Sequence, residues 1–260
     1  MRVLFIGDIV GRPGREAVKC ILPSFKEKHN IDFVIANCEN AAGGFGITPN
    51  VAQEIIANGV DAITMGNHTW DRKEVKQIIN EDYILRPANY TSEVEGKGFH
   101  IYEIGKGKVA VISLLGRVYL SLLNCPFRTV SEVLPTIENK TNLIIVDIHA
   151  EITSEKVAMG WYLDGKVSAV IGTHTHIQTA DERVLPQGTA YITDIGMTGP
   201  RDSVIGINKE IIIKKYLTQV PIRFEVAKED VVFSGVMIDI DEKTGKADKI
   251  ERFCLPVSID

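Results

Sequence analysis

Val3-Leu4-Phe5-Ile6-Gly7-Asp8 decides how this chain is read. Four apolar residues run into a glycine and then a carboxylate. That is a buried strand ended by a turn, with a polar residue at its C-terminal end. The pattern recurs along the chain. The run at 33–36 meets Glu39 and Asn40, and 61–64 meets Asn67 and His68. Further on, 143–148 leads to His149, and 167–171 leads to His174 and His176.

Helical patterns lie between the early strands. Val18, Ile21, Leu22 and Phe25 predict a helix over 15–29. Thr48-Pro49 reads as an N-cap followed by proline at the first helical position, opening a helix to Ala57. Asp71 and Glu74 have capping-box spacing, which predicts a helix to about Ile79 before a short strand at 83–86. This βαβαβ rhythm predicts an α/β fold with a largely parallel sheet.

The second half is richer in strand. Runs at 99–104 and 108–114 flank Gly105-Lys106-Gly107, a hairpin signal. Thr129 and Glu132 again have capping-box spacing, and a helix over 154–163 stops near Gly165. Runs at 231–240 and 249–255 read as a terminal hairpin. Hairpins beside a parallel core predict a mixed sheet or two packed sheets, not a pure Rossmann sheet. The apolar stretches 119–127 and 211–213 fit either core or a subunit interface, so a homo-oligomer is one option.

Composition excludes several classes. The 260 residues are 45% hydrophobic and 24% charged, the balance of a globular protein with a sizeable core. No linker or repeat divides them, so 1–260 reads as one domain. Twenty-nine Lys and Arg stand against 34 Asp and Glu, a net charge of −5 that argues against broad nucleic-acid-backbone binding. Cys20, Cys38, Cys125 and Cys254 form no C-x-x-C pair and read as reduced thiols. The opening apolar run is too short for a signal peptide, and no stretch reaches the ~20 apolar residues of a membrane helix. The expected location is the cytoplasm.

The strand ends carry the chemistry. Ligands bind at the C-terminal edge of an α/β sheet. Parallel strands would gather Asp8, Glu39, Asn40, Asn67, His68, His149, His174 and His176 there. Alternation places both imidazoles of Thr173-His174-Thr175-His176 on one side of an extended segment. Each residue also has a structural reading: Asp8 as a turn cap, Asn67-His68 as a turn, His149 as a satisfied core histidine. The joint placement is what points to metal. Imidazole suits zinc, iron and nickel, and carboxylate and amide oxygens suit manganese as well. Seven ligand-type residues exceed one tetrahedral ion and suit two, with open positions if Glu39 bridges. Two such ions over two carboxylates leave a positive excess that one hydroxide and one phosphodiester anion neutralise. The glycines after the first strand miss G-x-G-x-x-G, so a dinucleotide site is not expected. Gly43-Gly44-Phe45-Gly46 reads as a close backbone approach beside Glu39 or as a plain turn, and Arg201 as a candidate contact to phosphate.

With these residues laid out, the chain resembles the calcineurin-like metallophosphoesterases, and within them the bacterial YmdB-like phosphodiesterases of 2′,3′-cyclic nucleotides. The resemblance spans essentially the whole chain. It is strongest at Gly7-Asp8-Ile9-Val10-Gly11, Asn37-Cys38-Glu39-Asn40-Ala41, Gly66-Asn67-His68-Thr69-Trp70, Asp147-Ile148-His149-Ala150-Glu151 and Gly172-Thr173-His174-Thr175-His176. It implies a four-layer α/β/β/α sandwich with mixed sheets and a two-metal site. By resemblance, Asp8, Asn40 and His176 hold one metal. Asn67, His149 and His174 hold the other, and Glu39 bridges. The metals implied are iron or manganese, with zinc not excluded by ligand type. Val10 stands where the superfamily usually has a histidine, Glu39 where it has an aspartate, and Thr69 where it is usually acidic. The last change leaves the partner of His68 open, with Asp71 one candidate.

The expected activity is hydrolysis of small phosphodiesters. A metal-bridging hydroxide attacks phosphorus, and His68 serves as general acid for the leaving oxygen. The rivals are a phosphomonoesterase or protein phosphatase on the same site, and a regulatory metal- and nucleotide-binding protein with little turnover.

Overall fold

The computed structural model describes residues 1–105 and 107–258. Its strands are β1 (Arg2–Ile6), β2 (Asp8–Ile9), β3 (Phe33–Asn37), β4 (Ala62–Thr64), β5 (Ile84–Leu85), β6 (Phe99–Ile104) and β7 (Gly107–Leu115). They continue as β8 (Ile144–His149), β9 (Ala169–Thr173), β10 (Arg183–Val184), β11 (Ala190–Ile192), β12 (Met197–Pro200), β13 (Val231–Ile240) and β14 (Ala247–Pro256). The helices are α1 (Gly11–Lys28), α2 (Pro49–Ala57), α3 (Pro126–Ile137), α4 (Thr153–Leu163) and α5 (Lys209–Thr218).

Two sheets form. One runs β2-β12-β13-β1-β3-β4-β5, with β14 also on β13, and the other runs β10-β11-β9-β8-β7-β6. Both are mixed. β1, β3, β4 and β5 are parallel neighbours while β13 is antiparallel to β1. β7, β8, β9 and β11 are parallel while β6 and β10 are antiparallel edges.

Side-chain alternation divides the apolar residues into three cores. Val3, Phe5, Phe33 and Ile35 of one sheet meet Val109, Val111, Ile145 and Ile171 of the other. Their neighbours Leu4, Ile6, Val34 and Ala36 face outward and pack with Val18 and Leu22 of α1 and Ile55 of α2. On the opposite side Ile144, Val146 and Ile148 pack with Val130 of α3 and Met159 of α4. Both faces of each central strand are therefore covered, and β3 and β8 are buried throughout. This is the expected four-layer α/β/β/α sandwich.

Several boundaries differ from the sequence reading. α1 begins at Gly11, not 15, because first-turn amides need no intrahelical partner and Pro13 is tolerated there. Residues 73–77 form a 3₁₀ turn instead of a helix to Ile79, since the Asp71 carboxylate is engaged by His68. α3 starts at Pro126, three residues before Thr129. Thr48 does precede α2, without a side-chain capping bond. The β6–β7 hairpin forms; Lys106 of the Gly105-Lys106-Gly107 signal lies outside the described residues. α5 and β10–β12 had no legible signal. Tyr119 and Leu122 are exposed, so they are not core, and Ile212 is buried while Ile213 is exposed. Arg201 pairs with Asp230 at the surface instead of reaching toward the strand ends. Among the described residues, no helix is long and apolar enough to cross a membrane.

The parallel neighbours β9 and β11 approach closely where they end. A Cβ on Gly172 would lie 1.8 Å from the Thr193 carbonyl oxygen. Gly172→Ala should lower stability by about 1–3 kcal/mol through overpacking, read from the urea midpoint at unchanged m.

Candidate metal centre

The parallel strands of both sheets end on one edge. β1 and β2 deliver Asp8, and the turn after β3 delivers Glu39 and Asn40. The loop after β4 delivers Asn67 and His68, β8 ends on His149, and β9 runs into His174 and His176. The structure brings all eight sequence-predicted residues to this edge.

His149 is at the centre. Its Nε2 lies 2.9 Å from Glu39 Oε1, 3.2 Å from Asn67 Oδ1 and 2.9 Å from His174 Nδ1. Glu39, His149 and His174 form a cluster whose ligand atoms all lie within 4.8 Å of one another. His176 Nε2 stands 3.8 Å from Asp8 Oδ1 on the other side. Asn40 joins Glu39, His68, His174 and His176 in the wall of a cavity of about 410 Å³.

Outer contacts orient each ring, as in sites where a second nitrogen fixes the ligand atom. His149 Nδ1 donates to Thr173 Oγ1 at 2.8 Å. Thr173 Oγ1 donates to Asp147 Oδ1 at 2.7 Å. His174 Nε2 pairs with Glu151 at 2.9 Å, and His176 Nδ1 donates to the Ile205 carbonyl at 2.9 Å. Each leaves its other nitrogen toward the cluster. His174 and His176 adopt φ of +101° and +65°, conformations that side chains other than glycine rarely take.

His68 is held differently. Its backbone N–H donates to Glu39 Oε2 at 2.8 Å, and its Nδ1 donates to Asp71 Oδ2 at 2.7 Å. An ionised carboxylate only accepts, so the Nδ1 proton belongs to this bond and Nε2 is left for the cavity. Asp71 is thus the orienting partner that the sequence left open.

Two observations test whether a metal fits. Asp8 Oδ1 and Asn40 Oδ1 are buried and have no hydrogen-bond partner. Orphaned buried acceptors are costly, and cation coordination satisfies oxygens of this kind. Gly66 leaves room for the cluster: a Cβ there would lie 2.3 Å from the His149 ring and 2.5 Å from Glu39 Oε2. The donor set therefore fits a metal.

The electrostatics agree. Burial pushes Asp8 up to about 6, against the pull of His176 and His149. Burial would also raise Glu39, but the charge and hydrogen bond of His149 hold it at about 2. Burial works against the His149 imidazolium, yet Glu39, Asp8 and Asp147 raise it to about 9. His174 falls to about 3 through burial and the neighbouring His149 charge. Buried carboxylates and imidazoles thus shift one another strongly at this edge.

Sequence reasoning missed the outer layer. The place of Asp147 inside an apolar run is the signal that could have found it. Glu151, two residues past His149, had no signal of its own. Lys156 is 1% exposed on α4 and donates to Asp194 Oδ2 at 2.7 Å, a pairing no spacing announced.

Known proteins share this framework. The model of the family described as "YmdB-like protein" matches residues 4–253. A Bacillus subtilis 2′,3′-cyclic-nucleotide 2′-phosphodiesterase is 51% identical over 256 residues, covering 98% of this chain and 97% of that protein. A crystal structure of a hypothetical protein from Thermus thermophilus superposes with a TM-score of 0.93 at 39% identity, covering 98% of this chain and 99% of that one. A structure of a novel phosphatase from Mycoplasma pneumoniae gives a TM-score of 0.92 at 37% identity, covering 98% and 93%. Matched along nearly its whole length by the family model and by a relative just as fully aligned, the chain belongs to the YmdB-like protein family.

Proposed function

We propose that this protein is a two-metal phosphodiesterase that hydrolyses 2′,3′-cyclic nucleotides. The observation that carries the reading is the pair of orphaned oxygens, Asp8 Oδ1 and Asn40 Oδ1, beside the Glu39–His149–His174 cluster. The name of the Bacillus subtilis relative supplies the substrate class. In this reading Asp8, Asn40 and His176 hold one metal, Asn67, His149 and His174 the other, and Glu39 bridges. Iron or manganese is our choice, zinc being compatible with the ligand types. One core spans both sheets, which supports residues 1–260 as a single domain. We place the protein in the cytoplasm.

Bound there, the metals supply an activated water and positive charge for the phosphoryl oxygens. The remaining work falls to the chain. Asp71 accepts the Nδ1 proton of His68 and fixes its ring against the cavity. His68 holds a proton at Nε2 and gives it to the oxygen that leaves phosphorus. The P–O bond breaks, water supplies the new P–O bond, and a 2′,3′-cyclic phosphate opens to a monoester. The His68 backbone amide, donating to Glu39, keeps the acid and the bridging carboxylate in register.

The phosphatase name of the Mycoplasma relative favours one second reading, a phosphomonoesterase on the same site. Metal-reconstituted protein offered 2′,3′-cyclic AMP, an aryl phosphodiester and an aryl phosphomonoester separates them. Diester turnover well above monoester turnover is expected; the reverse order overturns the diesterase assignment.

Variants separate holding metal from moving protons. Glu39→Gln should lose bound metal by elemental analysis, and full occupancy in that variant would sink the bridging role. His68→Ala should retain metal while kcat falls by about 10²–10⁴. Asp71→Asn should retain metal and lose about tenfold in kcat, the cost of an unfixed general acid. Gly66→Ala should fold, by an unchanged circular dichroism spectrum, yet bind metal poorly, because its methyl enters the space between His149 and Glu39.

A further inference from the structure

The cavity beside the cluster is only half used by that reading. In it a phosphodiester and its metals would lie against Glu39, Asn40, His174 and His176. The rest of the lining is largely apolar: Phe45, Phe224, Tyr216 and a set of branched aliphatic side chains that includes Ile205 and Ile212.

These rings come from separate segments. Phe45 lies in the glycine-rich turn after β3, Tyr216 on α5, and Phe224 in the irregular stretch between α5 and β13. The two phenylalanines meet in series with His68, and Tyr216 lines the same cavity. Phe45 stands edge-on to His68, centroids 5.0 Å apart at 71°. It is near-parallel to Phe224 at 6.3 Å and 25°. Lys215 Nζ sits 4.4 Å from the Phe224 centroid. Neither phenylalanine belongs to the three hydrophobic cores, and both are only half-buried. Packing of the fold therefore does not account for them.

We propose that Phe224, with Phe45 and Tyr216, forms a subsite that stacks the heterocyclic base of the nucleotide while its cyclic phosphate lies against the ligand cluster. The proposal rests on the phosphodiesterase reading above and adds the recognition of the base. A planar heterocycle suits an aromatic wall, because every base has a π-face. The cavity follows the usual design of small-molecule sites: apolar walls with a few polar groups that fix orientation. Lys215 is a flexible cation that can leave the Phe224 ring or turn to a base acceptor atom. On this wall the polar groups are the Lys215 ammonium and the Tyr216 hydroxyl. Stacking supplies the main recognition, so purine and pyrimidine cyclic phosphates are both accepted.

The test compares 2′,3′-cyclic AMP with the cyclic phosphate of methyl riboside, which lacks the base. Phe224→Leu keeps apolar bulk and removes the ring, and Phe224→Trp restores a ring. The preference in kcat/KM for the nucleotide should fall about tenfold or more in Phe224→Leu, mainly through KM, and return in Phe224→Trp. Equal losses on both substrates, or an unchanged preference, would overturn the subsite. Turnover of neither substrate by the wild-type protein would count against the phosphodiesterase reading instead. In that event, titration with adenosine 3′-monophosphate and with inorganic phosphate still decides. Phe224→Leu weakening the nucleotide about tenfold more than phosphate supports the subsite, and parallel weakening refutes it.

Discussion

The arrangement depends on one buried carboxylate. Asp147 lies in the middle of β8 with no exposed surface. Its Oδ2 accepts from Thr64 Oγ1 at 2.5 Å and from Asn37 Nδ2 at 3.3 Å, both on the opposite sheet. Its Oδ1 accepts from Thr173 Oγ1 on β9. Burial pushes its acidity down, and the His149 charge and these donors work against that. An isolated buried charge would be costly, and the hydrogen bonds offset the desolvation. The result is a polar tie between two sheets whose facing residues are mainly apolar. The tie sits directly beneath the cluster, because Thr173 also takes the Nδ1 proton of His149.

A second tie sets the histidine loop. Left-handed backbone at His174 and His176 costs about 1–2 kcal/mol for each residue. Asp194 offsets that cost. Its Oδ2 accepts from the Thr175 backbone N–H at 3.0 Å and from Thr175 Oγ1 at 2.7 Å. Lys156 completes the pair and donates to the Thr173 carbonyl at 2.8 Å. The loop between the two imidazoles is thus pinned at its middle residue, and His174 and His176 diverge to the two sides of the cluster. Extended alternation was the reading from sequence. The actual backbone turns, and it still presents both rings at one edge.

These ties explain what the sequence revealed and what it hid. A strand end is legible because burial makes the strand apolar and the edge must be polar to bind. Asp8, Glu39, Asn67 and His149 stood out for that reason. Groups in the second layer obey another rule: they sit inside elements, where pattern reading expects packing. Lys156 follows the helical face of α4 and looks like a surface charge until the strands are placed. Asp71 illustrates a local ambiguity. Its spacing to Glu74 resembles a capping box, yet the same carboxylate lies three residues after His68 and takes that role instead. Phe224 lies where no periodicity exists, so its place in the wall of the same cavity as Glu39 is a tertiary fact alone.

Charge supplies the last step. Asp8, Glu39 and Asp147 crowd one buried edge, where the charge of His149, joined at Asp8 by that of His176, favours their ionised forms. A purely structural network of this kind would close its hydrogen bonds completely, since every open acceptor in a buried site costs stability. This one leaves Asp8 Oδ1 and Asn40 Oδ1 open on the same side as His176. It also spends a glycine, Gly66, to keep the His149 ring against Glu39, where any larger residue would push them apart. An edge built to stay unsatisfied until a cation arrives is better explained by metal binding than by stability, and the layer behind it is what holds the ligands still.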